Sequence, residues 1–407
     1  MLQEPTIRSG LDVLRIDGAS LLAGRRVGVL CHPASVAADL THVVDQLIQL
    51  GIRPVRLFGP EHGVRGEAQD MAGVDGGRDA RTGIPVISLY GSAFSSLTPA
   101  AADLDAIDVL VIDLQDIGSR YYTYVWTMGL AMKAAAAKGV AVVVLDRPNP
   151  LGGLCIEGGP VARGFESFVG LGSVPVRHGL TIGEMAKLIA AGLPWGPPPF
   201  DSAIDVDLTV IAMRGWRREM TYAQTGLPWV LPSPNMPTLD TAFVYPGMCL
   251  LEGTNLSEGR GLTRPFEIVG APFLDGDRWA REGAAVGLPG VHLRPLSFRP
   301  TFHKFAGQSC GGVQVHVTDQ AAFQPYRTGL ALLAAARAQA REAFGWRTEP
   351  YEFVSQPIAI DLLNGTDAIR LALDNAPTPR EAVDKIAADC KPFEREFADR
   401  RRPALLY

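Results

Sequence analysis

Short, continuously apolar runs alternate with helical patterns over the first ~150 residues, and this alternation limits the fold more than any other feature. Strands that are apolar on both faces need cover on both faces, as the central strands of parallel sheets have. We therefore predict an α/β fold with a Rossmann-like, doubly wound parallel sheet. The predicted strands are "RRVGVLC" (25–31), "PVRLFG" (54–59), "IPVISLYG" (84–91), "DVLVIDL" (108–114) and "VAVVVLD" (140–146).

The chain is 407 residues long, which exceeds one ordinary hydrophobic core and predicts two domains. We expect a Rossmann-like N-terminal domain over 1–235 and a smaller C-terminal α+β domain over 236–407. The C-terminal half has an alternating strand pattern at 312–319, a long alanine-rich helical pattern over about 320–344 and a final helix capped by Thr378.

The composition disfavours several classes of function. Lys and Arg number 38 against 43 Asp and Glu, and no basic stripe is visible, so nucleic acid is not an expected partner. Five scattered cysteines indicate neither a disulfide framework nor a zinc site. No apolar run is long enough for membrane insertion, and no secretion signal is visible. We expect a cytoplasmic protein as the sequence stands, or a periplasmic or extracellular one if a leader was removed.

Polar side chains follow most of the predicted strands at the point where each strand ends. Ligands of open α/β sheets bind beyond the carboxyl ends of the strands, so these residues are expected to converge on one cleft. The pair "EH" in "RLFGPEHGVRGEAQD" (56–70) is the most informative, since glycine and proline flank it. The candidates at these strand ends are His32, Glu61, His62, Asp113, Asp116, Arg120, Asp146 and Arg147.

Each candidate has a structural alternative. The pair after the second strand can simply shape its turn, and Asp113 can fix loop amides. Arg147 can pin its loop through an ion pair with Asp146 or Asp116. The aromatic side chains of "YYTYVW" (121–126) suggest a sugar platform, but part of them fall at helical spacing, which favours core packing for most of them.

Other chemistries lack their motifs. No G-x-G-x-x-G or P-loop pattern follows a strand, so the Rossmann-like domain is expected to hold no nucleotide. The H-E-x-x-H zinc spacing is also missing from the sequence, and we expect no metal and no cofactor. The remaining chemistry is that of carboxylates supported by arginines, which suits glycosidic bond cleavage or the recognition of an acidic sugar.

A second polar constellation lies in the C-terminal half, within "YPGMCLLEGTNLSEGRGLTRPFEIVGAP" (245–272). Long polar side chains stand there beside glycines, which indicates a loop whose backbone approaches a ligand. The alternative is a structural loop that ties the two domains together. Asn235 in "SPNMP" (233–237) precedes this loop and is expected to line the same cleft. The candidates here are Glu252, Asn255, Ser257, Glu258, Arg260 and Glu267.

Six ordered motifs from about residue 25 to the C-terminus resemble the exo-acting β-N-acetylmuramidases of peptidoglycan recycling, formerly known only as a domain of unknown function. The motifs are "LFGPEHGVRG", "DLQDIGSRYYTYVWTM", "DRPNPLGG", "HGLTIGEMA", "PSPNMPT" and "EGTNLSEGRG..RPFE". The resemblance implies hydrolytic release of terminal N-acetylmuramic acid from the non-reducing ends of peptide-free glycan fragments. It also implies that the N-terminal domain is catalytic, that the smaller C-terminal domain closes the cleft, and that Glu61 is the leading catalytic residue.

This chemistry needs further groups, which the sequence leaves open. A carboxylic acid must protonate the glycosidic oxygen, and a second group must act as nucleophile, activate water or stabilise the transition state. The rival hypothesis is a non-catalytic binding module for acidic sugars or cell-wall fragments. Candidates for the second group are Asp116, Asp113, Glu67 and Glu258; those for the lactyl carboxylate of muramic acid are Arg120, Arg147 and Arg260; and His62 or His178 is expected to bind the N-acetyl group or ring hydroxyls.

Overall fold

The computed structural model describes residues 7–65 and 76–407, and Glu67 lies outside the described residues. Within them, seven strands form one sheet in the order β3-β4-β2-β1-β5-β6-β7. Every pairing in this sheet is parallel except that of β3 with β4. The strands are β1 (Val27–Cys31), β2 (Arg56–Gly59), β3 (Gly77–Arg78), β4 (Pro85–Ser88), β5 (Val109–Asp113), β6 (Ala141–Leu145) and β7 (Leu208–Ile211).

The order in which the strands are added across the sheet reverses at β1, because β1 pairs with β2 on one side and with β5 on the other. Successive strands then run outward in both directions, which is the topology of a doubly wound sheet. A crevice opens at such a switch point, beyond the carboxyl ends of the strands. The α/β, Rossmann-like prediction is confirmed, and the candidates that follow β1, β2 and β5 meet at one edge.

Both faces of the sheet are buried, as the continuous apolar runs predicted. Val29 and Val111 belong to one apolar cluster, while their chain neighbours Leu30 and Ile112 belong to another. Alternate residues of a strand point to opposite faces, so the two clusters cover the two sides.

Helices cover the sheet and build most of the second half. In the part of the chain that the structure describes, no helix combines the length and apolar character needed to cross a membrane. The helices are α1 (Gly10–Val13), α2 (Ala19–Leu22), α3 (Val43–Gln49), α4 (Ala101–Leu104), α5 (Tyr124–Ala137), α6 (Ile182–Ala191), α7 (Leu239–Met248), α8 (Gly276–Ala284), α9 (Pro325–Gln339), α10 (Ala359–Asn364), α11 (Ala368–Asn375) and α12 (Pro379–Arg400). One π-helical turn (Leu14–Gly18) and the 3₁₀ turns Phe94–Leu97, Tyr222–Thr225, Cys249–Gly253 and Arg402–Ala404 complete the set.

A small antiparallel sheet with strand order β8-β10-β9 marks the C-terminal half, which confirms the expected α+β part. Its strands are β8 (Ile268–Ala271), β9 (Val291–Phe298) and β10 (Cys310–Val317). Helix α9 packs against α7, α8 and α12 beside this sheet. The boundary at residue 235 stays a prediction.

The local sequence signals predicted where helices begin more accurately than where they end. Thr378 caps α12 as predicted, and Thr181 and Glu184 form a capping box at the start of α6. The alanine-rich pattern over 320–344 extends past the observed α9, because Pro325 fixes the first turn and Ala340 leaves the helical conformation. All five cysteines are free thiols, four of them buried.

Candidate active site

A pocket lies at the carboxyl edge of the large sheet, between the two halves of the chain. The loops after β2 and β5 form one side of it, the segment around 233–236 forms another, and the C-terminal half closes it. Its lining residues are Glu61, His62, Tyr121, Tyr122, Thr123, Tyr124, Ser233, Asn235, Met236, Tyr245, Arg260 and Phe266.

Glu61 is the carboxylate among these described lining residues. It is 6% exposed, and its Oε2 accepts a hydrogen bond of 3.0 Å from Thr123 Oγ1. Thr123 is the residue immediately before α5. The carboxyl group is therefore held by a second element and still opens into the pocket.

The turn that carries Glu61 is strained. Gly63 donates its backbone N–H to the Pro60 carbonyl across 2.9 Å, and His62 has a φ of 71°. A turn with positive φ at its third residue favours glycine or asparagine there, and a left-handed histidine costs roughly 1–2 kcal/mol. The expected turn is present, but its geometry also directs the His62 ring into the pocket lining. Backbone strain of this kind clusters at functional sites.

Aromatic rings form part of the pocket wall. Tyr122 makes edge-to-face contacts with Tyr124 (centroids 4.9 Å apart) and Tyr245 (5.8 Å). Burial raises the pKa of the Tyr122 and Tyr124 phenols, so both are neutral hydrogen-bonding groups. Core packing at helical spacing is confirmed for Trp126, which stacks on Phe200, whereas Tyr122 and Tyr124 line the pocket.

Asp116 and His178 form a buried pair behind this wall. His178 Nε2 lies 3.4 Å from Asp116 Oδ2, which also accepts the Gly118 N–H at 2.7 Å. His178 Nδ1 accepts the Leu180 N–H, so its proton is on Nε2 and faces the carboxylate. Asp116 Oδ1 is buried without a hydrogen-bond partner in the described part of the chain. An unsatisfied buried carboxylate oxygen needs a water molecule or a ligand group.

His32 after β1 is a structural junction. Its Nε2 accepts the Gln115 N–H at 2.9 Å, and its Nδ1 lies 3.3 Å from the Pro232 carbonyl. Burial, with the nearby Arg147 charge, lowers the pKa of His32 well below its usual value, so the ring is neutral. It joins the ends of β1 and β5 to the segment that carries Ser233 and Asn235.

Asp113 and Arg147 pair with each other outside the pocket lining. Arg147 Nε and Nη2 bind the two Asp113 oxygens, the second at 2.8 Å, and Nη2 also reaches the Val36 carbonyl. Both side chains are almost fully buried. Arg147 therefore holds its loop in place through an ion pair, which is the structural alternative to a binding role. The partner carboxylate is Asp113, and not Asp146 or Asp116 as that alternative stated.

Arg120 is also turned away from the pocket. Its Nη1 donates to the carbonyls of Gly159 and Val174, and its Nη2 donates to that of Leu363 in the C-terminal half. Its guanidinium thus ties loops and halves together. Distant backbone carbonyls supply these contacts, so no local sequence pattern could have shown them.

Arg260 is the arginine that reaches the pocket. Its Nη1 contacts Glu252 Oε1 at 2.8 Å and Glu258 Oε1 at 3.2 Å, and its guanidinium lies over the Phe266 ring. Glu258 is buried and also binds Lys304 and His303. Despite the penalty of burial, the charge of Lys304 and the hydrogen bond of His303 hold its pKa well below the usual value. Glu258 therefore supports the pocket wall as a fixed negative charge.

Two further predictions concern Asn235 and metals. Asn235 lines the pocket, and its side-chain amide makes no hydrogen bond to another described residue, so it is available to a ligand. Across residues 7–65 and 76–407, no group of His, Cys, Asp or Glu side chains has the arrangement that could hold a metal ion.

The chain is similar to known proteins over almost its whole length. The N-terminal and C-terminal family models described as "Exo-beta-N-acetylmuramidase NamZ" match residues 27–240 and 243–407. The chain belongs to the NamZ family. It is 41% identical over 406 residues to the peptidoglycan beta-N-acetylmuramidase NamZ of Bacillus subtilis (strain 168), with 100% of this chain and 92% of that protein covered.

Two crystal structures of DUF1343 family proteins from Bacteroides fragilis NCTC 9343 share the NamZ-family fold. One has a TM-score of 0.86 and 33% identity, with full coverage of both chains. The other has a TM-score of 0.75 and 26% identity, covering 98% of this chain and 99% of its own. The resemblance found in the six sequence motifs is confirmed over the whole chain.

Proposed function

We propose that this protein is an exo-β-N-acetylmuramidase that hydrolyses terminal, non-reducing N-acetylmuramic acid from peptide-free peptidoglycan fragments. Membership of the NamZ family and the identity to a curated muramidase support the glycosidase activity. The observation that carries the proposal is the placement of Glu61 in a pocket that both halves of the chain enclose.

Glu61 is proposed as the general acid. A glycosidic oxygen leaves poorly unless it gains a proton as the bond to the anomeric carbon breaks. Thr123 fixes one oxygen of Glu61 through the 3.0 Å hydrogen bond, which orients the carboxyl group for transfer from a defined direction. An acid that is positioned in this way contributes ~10²–10⁴-fold to the rate.

Asp116 is proposed as the second catalytic group, acting through a water molecule. Its unsatisfied Oδ1 provides an acceptor for the proton of that water. Its other oxygen accepts the Gly118 N–H at 2.7 Å and lies 3.4 Å from His178 Nε2. The charges of Asp116 and Glu61 both add to the effect of burial in raising the pKa of the Tyr122 phenol, so both carboxyl groups lie near this tyrosine. Asp113 and Glu258 are committed to ion pairs and suit this role less well.

Arg260 is proposed as the partner of the lactyl carboxylate, which distinguishes muramic acid from glucosamine. Of the three arginine candidates it is the one that lines the pocket, whereas Arg120 and Arg147 bind backbone carbonyls and Asp113. His62 and Asn235 are proposed to hydrogen-bond the N-acetyl group and ring hydroxyls from the other walls.

The test compares a chromogenic β-N-acetylmuramide with the matching β-N-acetylglucosaminide. We expect the wild type to cleave the muramide, and Glu61→Gln to lose ~10²–10⁴-fold in kcat while remaining folded. Glu184→Gln is the matched control, because Glu184 caps α6 and pairs with Arg218 away from the pocket. Wild-type turnover by Glu61→Gln would overturn the role of Glu61, and binding without turnover by the wild type would favour the non-catalytic module.

The compartment of this reaction is a separate prediction. The cytoplasm, or the periplasm or exterior after loss of a leader, stays an expectation, and fractionation of the native cell with an antibody to this protein tests it.

A further inference from the structure

A two-residue turn in the C-terminal half has an unusual sequence for its backbone. Tyr351 and Val354 exchange both backbone hydrogen bonds, at 2.8 and 3.0 Å, around Glu352 (φ 47°) and Phe353 (φ 67°). Turns with positive φ at both central residues favour Asn-Gly. A glutamate and a phenylalanine there each oppose the left-handed conformation, so the turn is maintained by its surroundings.

The contacts of this turn show what maintains it. Glu352 is buried and accepts a hydrogen bond of 3.3 Å from Tyr90 OH. Tyr351 OH donates to Glu252 Oε2 at 2.6 Å. Phe353 keeps 37% of its surface exposed. The strained turn therefore presents part of an aromatic ring to solvent.

Phe353 does not stand alone at this surface. Its ring contacts Phe94 edge to face, with centroids 6.3 Å apart, and Phe94 is 42% exposed. Tyr90 lies beside Phe353 with centroids 5.7 Å apart. We call Phe94 and Phe353 the aromatic platform. It joins a loop of the N-terminal half to a turn of the C-terminal half.

The platform is attached to both walls of the catalytic pocket. On one side, Leu89 donates its N–H to the carbonyl of Gly59 at 2.7 Å. Tyr90 is the next residue after Leu89, and Gly59 lies two positions before Glu61 in the chain. On the other side, Tyr351 binds Glu252, which binds Arg260 of the pocket at 2.8 Å. Each link is one or two contacts long, so the platform is connected to both walls of the pocket.

We propose that the aromatic platform binds the N-acetylglucosamine residue on the leaving-group side of the scissile bond. The proposal rests on the proposed function, in which the pocket holds the terminal muramic acid and the rest of the glycan extends outward. A pyranose ring presents an apolar C–H face that packs on aromatic rings. The division of chemistry fits the substrate: Arg260 faces the anionic sugar, and uncharged rings face the neutral one.

The test compares two muramic acid glycosides: the leaving group of one is a sugar, and the leaving group of the other is methanol. Methyl β-N-acetylmuramide places nothing on the platform, whereas the disaccharide N-acetylmuramyl-β-1,4-N-acetylglucosamine does. We expect Phe353→Asn and Phe94→Ala each to lower kcat/KM for the disaccharide roughly 3–10-fold, mainly through KM, and to leave the methyl glycoside unchanged. Asparagine tolerates the left-handed backbone, so Phe353→Asn removes the ring and keeps the turn.

Leu371→Ala is the matched control, since Leu371 is a similarly exposed (44%) apolar side chain on α11. Phe353→Trp should restore the preference for the disaccharide. Equal losses on both substrates, or no loss on the disaccharide, would overturn the proposal. A wild type that cleaves neither compound would contradict the proposed function instead. In that case, calorimetric titration of the disaccharide into the wild type and into Phe353→Asn tests separately whether the platform binds the sugar.

Discussion

Thr123 donates its hydroxyl hydrogen to Glu61 across 3.0 Å and so joins the start of α5 to the loop after β2. Thr123→Val keeps the shape of the side chain and removes this hydrogen bond. We expect kcat on a chromogenic muramide to fall about 10-fold, since an acid that loses its orientation transfers its proton less efficiently. Steady-state kinetics should show little change in KM.

A conservative variant separates positioning from folding in this case. Thr123→Ser retains the hydroxyl and should keep most of the wild-type kcat. If Thr123→Val and Thr123→Ser lose activity equally, the methyl group matters more than the hydrogen bond, and the proposed orientation of Glu61 is wrong.

Arg260 is expected to set the preference for muramyl over glucosaminyl substrates. Arg260→Lys retains a positive charge near Glu252 and Glu258 but loses the planar fork that suits a carboxylate. We expect the ratio of kcat/KM values for the two chromogenic sugars to fall about 10-fold, which corresponds to ~1.4 kcal/mol of lost discrimination. An unchanged ratio would assign lactyl recognition to another residue.

Arg147 is expected to affect stability instead of selectivity. Arg147→Ala leaves the buried Asp113 carboxylate without its bidentate partner, which typically costs 3–5 kcal/mol. Urea denaturation should show this loss, and the double variant Arg147→Ala/Asp113→Ala should recover part of it because the uncompensated charge is gone. The ratio of muramyl to glucosaminyl activity should stay that of the wild type; a lower ratio in the folded protein would return Arg147 to the site.

The three arginine candidates show where sequence reasoning reached its limit. Each of Arg120, Arg147 and Arg260 stands near a strand end or a glycine-rich loop, and in the sequence they look equivalent. Their roles depend on partners far along the chain: the Leu363 carbonyl for Arg120, Asp113 for Arg147, and Glu252 with the pocket for Arg260. Such partners are set by tertiary packing, which local spacing does not report.

Other features were predictable because their causes are local. Apolar runs such as 109–113 need cover on both faces, and the topology rule then placed Glu61 at the correct edge of the sheet. Tyr122 has the helical spacing that favours core packing and yet lines the pocket, because a buried pocket wall shows the same spacing as a core. The positive φ at His62 carries no sequence signal, since the position favours glycine or asparagine.

Acid should destabilise this fold through its buried histidines. His42 Nε2 lies 3.1 Å from the His32 carbonyl and its Nδ1 accepts the Val44 N–H, so the ring caps α3 in its neutral form. Burial, with the charge of Arg65, lowers the pKa of His42 to about 4. The unfolded chain therefore binds a proton as the pH falls below about 6.5, while the folded chain does not, and stability decreases with falling pH.

The size of this effect follows from the pKa difference. From pH 6.5 to pH 4, His42 should cost the fold roughly 3 kcal/mol, at ~1.4 kcal/mol per pH unit. His42→Asn keeps a residue that can cap α3 and has no titrating group, so its unfolding free energy should fall less steeply over this range. Urea denaturation at pH 7.5, 6, 5 and 4.5 measures the slopes. His316→Asn, at an exposed position on β10, is the control and should keep the wild-type slope. Parallel curves for wild type and His42→Asn would show that His42 is not the group that titrates.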